Sequence, residues 1–117
     1  AISHKLVAHL AGLGWVGKSC LLITSEYGPR IRLATIVTDA PLEAGSPMKG
    51  RCGECRKCVD MCPVKAFTGV PFNPSEPREV RFNAHLCSQY SNQRRERLGE
   101  GICGLCVYVC PYGTSKK

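Results

Sequence analysis

The chain has 117 residues, 21% of them charged and only 7% aromatic, and a formal net charge of +7. That length fits one small domain or a fragment of a larger protein, and so few aromatic residues exclude a large self-sufficient apolar core. No apolar run approaches the roughly 18 residues of a membrane-spanning helix and no leader pattern opens the chain, so the expectation is a cytoplasmic protein that does not touch a membrane.

The first expected element is a helix over Ser3 to Leu13. Leu6, Val7, Leu10 and Ala11 fall on one face, Ser3 is placed to cap the start, and Gly12-Leu13-Gly14 ends it. His4 and His9 are too far out of phase to share a face and read as packing or surface residues. Gly12 to Ser19 superficially has the spacing of a phosphate-binding loop. It follows a helix and precedes a strand, the reverse of the order that chemistry needs, and Trp15 is bulky inside it. A tight glycine-permitted turn that places Trp15 and Lys18 is the better reading.

Two strands are expected at Cys20 to Thr24 and Ile31 to Thr38, joined through Gly28-Pro29 as a hairpin. An isolated hairpin is marginal in water, so these strands call for further chain to pack on. Asp39 to Arg51 reads as a linker, Val64 to Phe67 as a short turn and Thr68 to Pro77 as irregular. Asn83 to about Leu98 reads as a capped helix carrying Arg94, Arg95 and Arg97. That basic helix reads first as a solvated face and second as an RNA- or protein-binding one. Lys116-Lys117 reads as a chain end.

Nine cysteines dominate the chemistry. Cys52, Cys55, Cys58 and Cys62 form C-x₂-C-x₂-C-x₃-C-P, and Cys103, Cys106 and Cys110 form a shorter copy, C-x₂-C-x₃-C-P. Zinc favours separated pairs, and disulfides need an oxidising compartment and an even count. A continuous run ending in proline is the bacterial ferredoxin pattern for [4Fe–4S] clusters. Three closely spaced thiols reach three corners of one cube, and the fourth, turned away before proline, ligates the other cluster. Cluster one is thus expected on Cys52, Cys55, Cys58 and Cys110, and cluster two on Cys62, Cys103, Cys106 and one more. A full second run would have cysteine where Glu100 stands, so Cys87 is expected to supply that ligand, with Cys20 the other candidate. Otherwise Cys20 is a buried free thiol.

Each oxidised cluster with its four thiolates adds about −2, which brings the formal +7 down to about +3 and weakens the nucleic-acid reading of the charge. Gly53 and Gly104 are expected to occupy matching places in the two runs and to let backbone N–H groups approach sulfur. Val59, Met61, Val64, Phe67, Val107, Val109 and Tyr112 are expected to insulate the clusters. No catalytic constellation accompanies them.

The segment Ala11-Gly-Leu-Gly-Trp-Val-Gly-Lys18, then Ile36-Val-Thr-Asp-Ala-Pro-Leu42, then CGECRKCVDMCP, resembles the epoxyqueuosine reductase family and the related cobalamin-dependent reductive dehalogenases. The resemblance covers nearly the whole chain. It implies an α+β fold in which residues 1–42 end a nitroreductase-like cobalamin domain and residues 43–117 form a ferredoxin-like double-cluster domain. The clusters would deliver electrons to a reductase centre, a partner domain or a redox partner protein. Cobalamin would bind only with the upstream domain, whose acidic proton donor is absent here. Gly14, Trp15, Gly17 and Lys18 would line a cobalamin edge, and a modified tRNA base would be the substrate of the whole enzyme. The same resemblance places one cysteine of the second cluster well before the last C-x₂-C, in agreement with Cys87. The alternative is a structural metal-binding module with a basic binding face.

Overall fold

The computed structural model describes residues 2–114, so Lys116-Lys117 lies outside the described residues. Helix α1 spans His4–Leu10, and the Ser3 hydroxyl accepts from the Leu6 N–H at 3.3 Å. It stops short of the expected Leu13 because Gly12 turns left-handed. With φ at +78°, Gly12 lets its own N–H reach the His9 carbonyl while the Leu13 N–H reaches that of Ala8. This pair of bonds satisfies carbonyls that the last helical turn would leave open.

The hairpin differs from the expected one. Strand β1 (Trp15–Val16) pairs antiparallel with β2 (Leu22–Ile23), Trp15 opposite Ile23 and Val16 opposite Leu22. So β2 lies in the expected first strand, but its partner precedes it in sequence. Residues 17–20 close the turn: the Cys20 N–H donates to the Gly17 carbonyl at 2.9 Å, and Cys20 takes φ +57°. Residues 31–38 join no ladder among the described residues. Thr24 folds back onto Gly28 in an isolated bridge, and Pro29 then follows without an N–H to continue it. Half-buried Ile31, Leu33 and Thr35 still alternate with exposed neighbours, but Ile36 and Val37 are 87% and 83% exposed.

Helix α1 packs on this hairpin, burying Ala8, Trp15, Val16, Leu22 and Ile23. Beyond the irregular 39–51 stretch come α2 (Lys57–Met61), a single 3₁₀ turn (Arg78–Val80), α3 (Ala84–Leu98) and α4 (Leu105–Tyr108). The 3₁₀ turn just after the proline-rich stretch was not expected. Val59, Cys62, Ala66 and Phe67 form a second core, in which the Phe67 and Phe82 rings stack at 5.0 Å. The hairpin's own core extends to the cysteine runs, since Trp15 and Ile23 cluster with Cys110.

Helix α3 has the expected bounds. The Asn83 carboxamide accepts from the Leu86 N–H at 3.1 Å, and left-handed Gly99 ends the helix. None of its residues is buried, which fits the solvated-face reading. Arg95 and Arg97 are exposed, while Arg94 lies 5.9 Å from the Tyr90 ring. Among the described residues no helix is long and apolar enough to cross a membrane.

Candidate metal centres

The two cysteine runs fold as near-copies. In each, a short helix carries one cysteine at its second position, Cys58 on α2 and Cys106 on α4, and another stands just beyond it, Cys62 or Cys110. Helices α2 and α4 pack on each other, which brings the two runs together. This register pairs Cys55 with Cys103 and Cys52 with Glu100. It also pairs Gly104, the N-cap of α4, with Arg56 rather than with Gly53. Gly53 and Gly104 do share the left-handed conformation, φ +53° and +67°, and a Cβ on either would meet nothing within 4 Å. Glycine is required there by backbone conformation, not by crowding.

A partly open cavity is lined by Cys52, Cys55, Cys58 and Cys110, with Lys18, Ile23 and Tyr112 also in its wall. Burial pushes the Cys58 thiol up to about 11, and the fields of Cys52, Cys55 and Cys110 add to it. Burial raises Cys110 as well; the Tyr112 N–H opposes the rise, while Cys52 and Cys55 add to it. The other thiols influence one another separately. Cys87 is raised by burial and then by Cys62 and Cys103. Cys106 is raised by burial, against its hydrogen bonds from the Val107 and Cys106 N–H groups, with Cys103 and Cys87 adding. The Cys62 sulfur accepts from the Ala66 N–H at 3.3 Å. Two groups of four thiols result, each drawing on both runs. Among the described residues no three His, Cys, Asp or Glu side chains are gathered tightly enough for a single ion. An all-thiol set of four lining one cavity fits a cluster.

Cys20 stands apart. Its thiol is buried and raised by that burial, and the groups that oppose the rise are Arg81, Lys5 and Arg78, with no other cysteine among its influences. His4 and His9 also take structural places: His4 hydrogen-bonds Thr35 at 2.7 Å, and His9 meets the Phe72 ring edge-on at 4.9 Å.

The residues singled out as a cobalamin edge all touch the first thiol group or its supports. Lys18, 8% exposed, donates from Nζ to the carbonyls of Gly53 at 2.7 Å and Cys55 at 3.1 Å. The Trp15 indole N–H donates to Cys52 Sγ at 3.5 Å. A Cβ on Gly17 would strike the Ile23 side chain and come within 3.3 Å of Cys52 Sγ, and one on Gly14 would strike the Ile23 carbonyl. Of the expected insulators, Val59 and Phe67 are buried, but Met61 is 44% exposed because it ends α2 on the solvent side. Arg30 was missed by sequence reasoning. Its guanidinium donates to the carbonyls of Tyr108 and Tyr112 at 2.9 and 3.0 Å, holding the chain on either side of Cys110. A lone arginine after Gly-Pro carries no signal of that contact in sequence.

The raised Cys58 sets a pH dependence for the iron-free folded chain. Its folded value of about 11 lies above the ordinary 9.0, so folding favours the neutral thiol. That contribution is fully present below pH 9 and is lost as pH rises through about 11. Thermal melts of metal-free, reduced protein should show the midpoint falling across this window; Cys58→Ala should flatten the fall.

A small α+β fold, as expected, with two four-thiol groups, each shared between two C-x₂-C runs, defines a double iron–sulfur scaffold. Residues 51–113 match the 4Fe-4S double cluster binding domain family, and the chain belongs to that family. Its sequence is 40% identical to an epoxyqueuosine reductase of Lactococcus garvieae over 96% of this chain and 32% of that protein. It is 34% identical to the Bacillus subtilis epoxyqueuosine reductase over 98% of this chain and 30% of that protein. A crystal structure of epoxyqueuosine reductase with an epoxyqueuosine-modified tRNA-Tyr stem loop superposes with a TM-score of 0.73 at 31% identity, covering 98% of this chain and 31% of that one. The chain thus spans about a third of the length of these relatives.

Proposed function

We propose that this chain is the electron-delivery module of an epoxyqueuosine reductase-like oxidoreductase. One [4Fe–4S] cluster is held by Cys52, Cys55, Cys58 and Cys110, and the other by Cys62, Cys87, Cys103 and Cys106. The observation that carries the reading is the segregation of the thiols into these two groups, each taking a cysteine from the opposite run. A [4Fe–4S] cluster supplies single electrons at a potential set by its surroundings. Around each group the chain's own residues aim backbone N–H donors at sulfur, from Ala66, Val59, Val107 and Tyr112, and cover it with Val59, Phe67 and Tyr112. Thiols kept free for iron suit a reducing compartment, so we place the protein in the cytoplasm.

Residues 1–42 then belong to a cobalamin-binding reductase domain and residues 43–117 to the cluster domain. The boundary falls in the irregular 39–51 stretch. The largely exposed segment 31–42 fits chain that packs on more of that domain. Cobalamin and the modified tRNA base of the similar enzymes enter as cofactor and substrate of the whole protein, with the exposed Arg95 and Arg97 of α3 available to RNA.

Anaerobically purified protein should contain about eight irons and eight acid-labile sulfides per chain, with a broad absorption shoulder in the visible. About two zincs without sulfide would overturn the proposal.

A further inference from the structure

Trp15 is the chain's one tryptophan and its most deeply buried large side chain, 1% exposed. A buried indole N–H needs an acceptor. Here the acceptor is Cys52 Sγ, 37 residues further along the chain. Among the described residues this is the one hydrogen bond from a side chain to the sulfur of any of the eight grouped cysteines. The ring cannot easily leave it. Tyr112 packs edge-on at 4.8 Å, and its hydroxyl is anchored on the Arg51 carbonyl at 2.7 Å. Ile23 stands opposite Trp15 in the hairpin register, and the Arg51 guanidinium lies 5.9 Å from the ring. Lys18, from the turn of the same hairpin, grips the loop carrying Cys52 and Cys55 and lines the same cavity.

Reduction adds one electron to a cluster, and part of the added charge falls on its thiolate sulfurs. An N–H donor in a buried setting stabilises the more negative state more strongly, which raises the potential. Among the described residues the second group has backbone donors, such as the Ala66 N–H on Cys62, but no side-chain counterpart of Trp15. We propose that the Trp15 indole N–H, held on Cys52 by the hairpin, is a positioning contact that sets the reduction potential of the first cluster above its value without that bond. This rests on the two-cluster assignment of the proposed function.

Tryptophan occurs once in these 117 residues, so replacing it throughout this chain alters Trp15 alone. Benzothienylalanine keeps the ring's shape but lacks the N–H. In the full chain carrying it, EPR-monitored redox titration should show the first cluster's reduced-to-oxidised ratio at fixed potential falling roughly three- to tenfold. Tenfold corresponds to about 59 mV for one electron. The second cluster should keep its midpoint. Both clusters present with neither midpoint moved would overturn the proposal, since a role confined to packing leaves the potential alone. A second measurement leaves the side chain intact: ¹⁵N-indole labelling of native protein should give a hyperfine coupling to the reduced first cluster, and its absence would equally overturn the proposal. Native protein without iron would instead overturn the cluster assignment itself, so the two failures are distinct.

Discussion

Replacing Cys87 by serine should remove about half of the bound iron, whereas replacing Cys20 should leave nearly all of it. Both cysteines lie outside the continuous runs, and spacing alone leaves either able to complete the second group. Their surroundings differ. Cys87 sits on the first turn of α3 against the second core, and the thiols that influence it are Cys62 and Cys103. Cys20 sits at the left-handed corner of the β1–β2 turn among Arg81, Lys5 and Arg78, with the Lys5 ammonium on its carbonyl at 2.7 Å. Loss of one ligand exposes an iron corner to water and destabilises the whole cube, so the loss should approach one cluster's worth, about four irons. Iron and sulfide analysis of the two variants, purified side by side without oxygen, checks this. Iron lost from Cys20→Ser and kept by Cys87→Ser would reverse the assignment.

Which parts of this arrangement show in the sequence follows from the range of the interactions. The cysteine runs are local: a loop of two-residue gaps and a short helix settle where Cys55, Cys58, Cys103 and Cys106 go relative to one another. Helix α3 is local too, with its cap and its glycine stop both written beside it. The hairpin is different. Apolar β-branched residues announce that 31–38 favours an extended chain, but they do not name a partner. The pairing of Trp15 with Ile23 depends instead on a turn in which Cys20, a residue with no preference for left-handed backbone, takes φ +57°. Trp15 on Cys52 and Lys18 on Gly53 span 37 and 35 residues and cross from the hairpin to the cluster loop. No periodicity encodes such contacts. Gly-Trp-x-Gly-Lys thus stands out as a motif, while what it touches stays hidden until the chain is folded. The near-match of Gly53 and Gly104 misleads for the opposite reason: a shared Cys-Gly-x-Cys context hides a helix register that equates Gly104 with Arg56.

The same register makes the crossing of ligands testable. Cys110→Ser should abolish the first cluster although Cys110 ends the second run, and Cys62→Ser should abolish the second although Cys62 ends the first. Cys110 lines the cavity with Cys52, Cys55 and Cys58. Cys62 leaves α2 with extended backbone, φ −63° and ψ 119°, and its thiol is one of the two that influence Cys87. Each variant should lose about half the iron, so iron counting alone does not separate crossed from uncrossed ligation. The residual signals do. With crossed ligands, reduced Cys62→Ser and Cys87→Ser share one EPR spectrum, that of the cluster beside Trp15. Cys110→Ser shows the complementary one, without the ¹⁵N-indole coupling. With uncrossed ligands, Cys110→Ser would match Cys87→Ser instead, and Cys62→Ser would stand alone. Crossing also ties the clusters to each other through α2 and α4, because each helix is followed by a ligand of the opposite cluster. Losing either cluster should therefore loosen the packing of both helices. Amide hydrogen exchange at Val59 and Val107 should rise in both Cys62→Ser and Cys110→Ser, whereas uncrossed ligation would raise it at only one of the two helices in each variant.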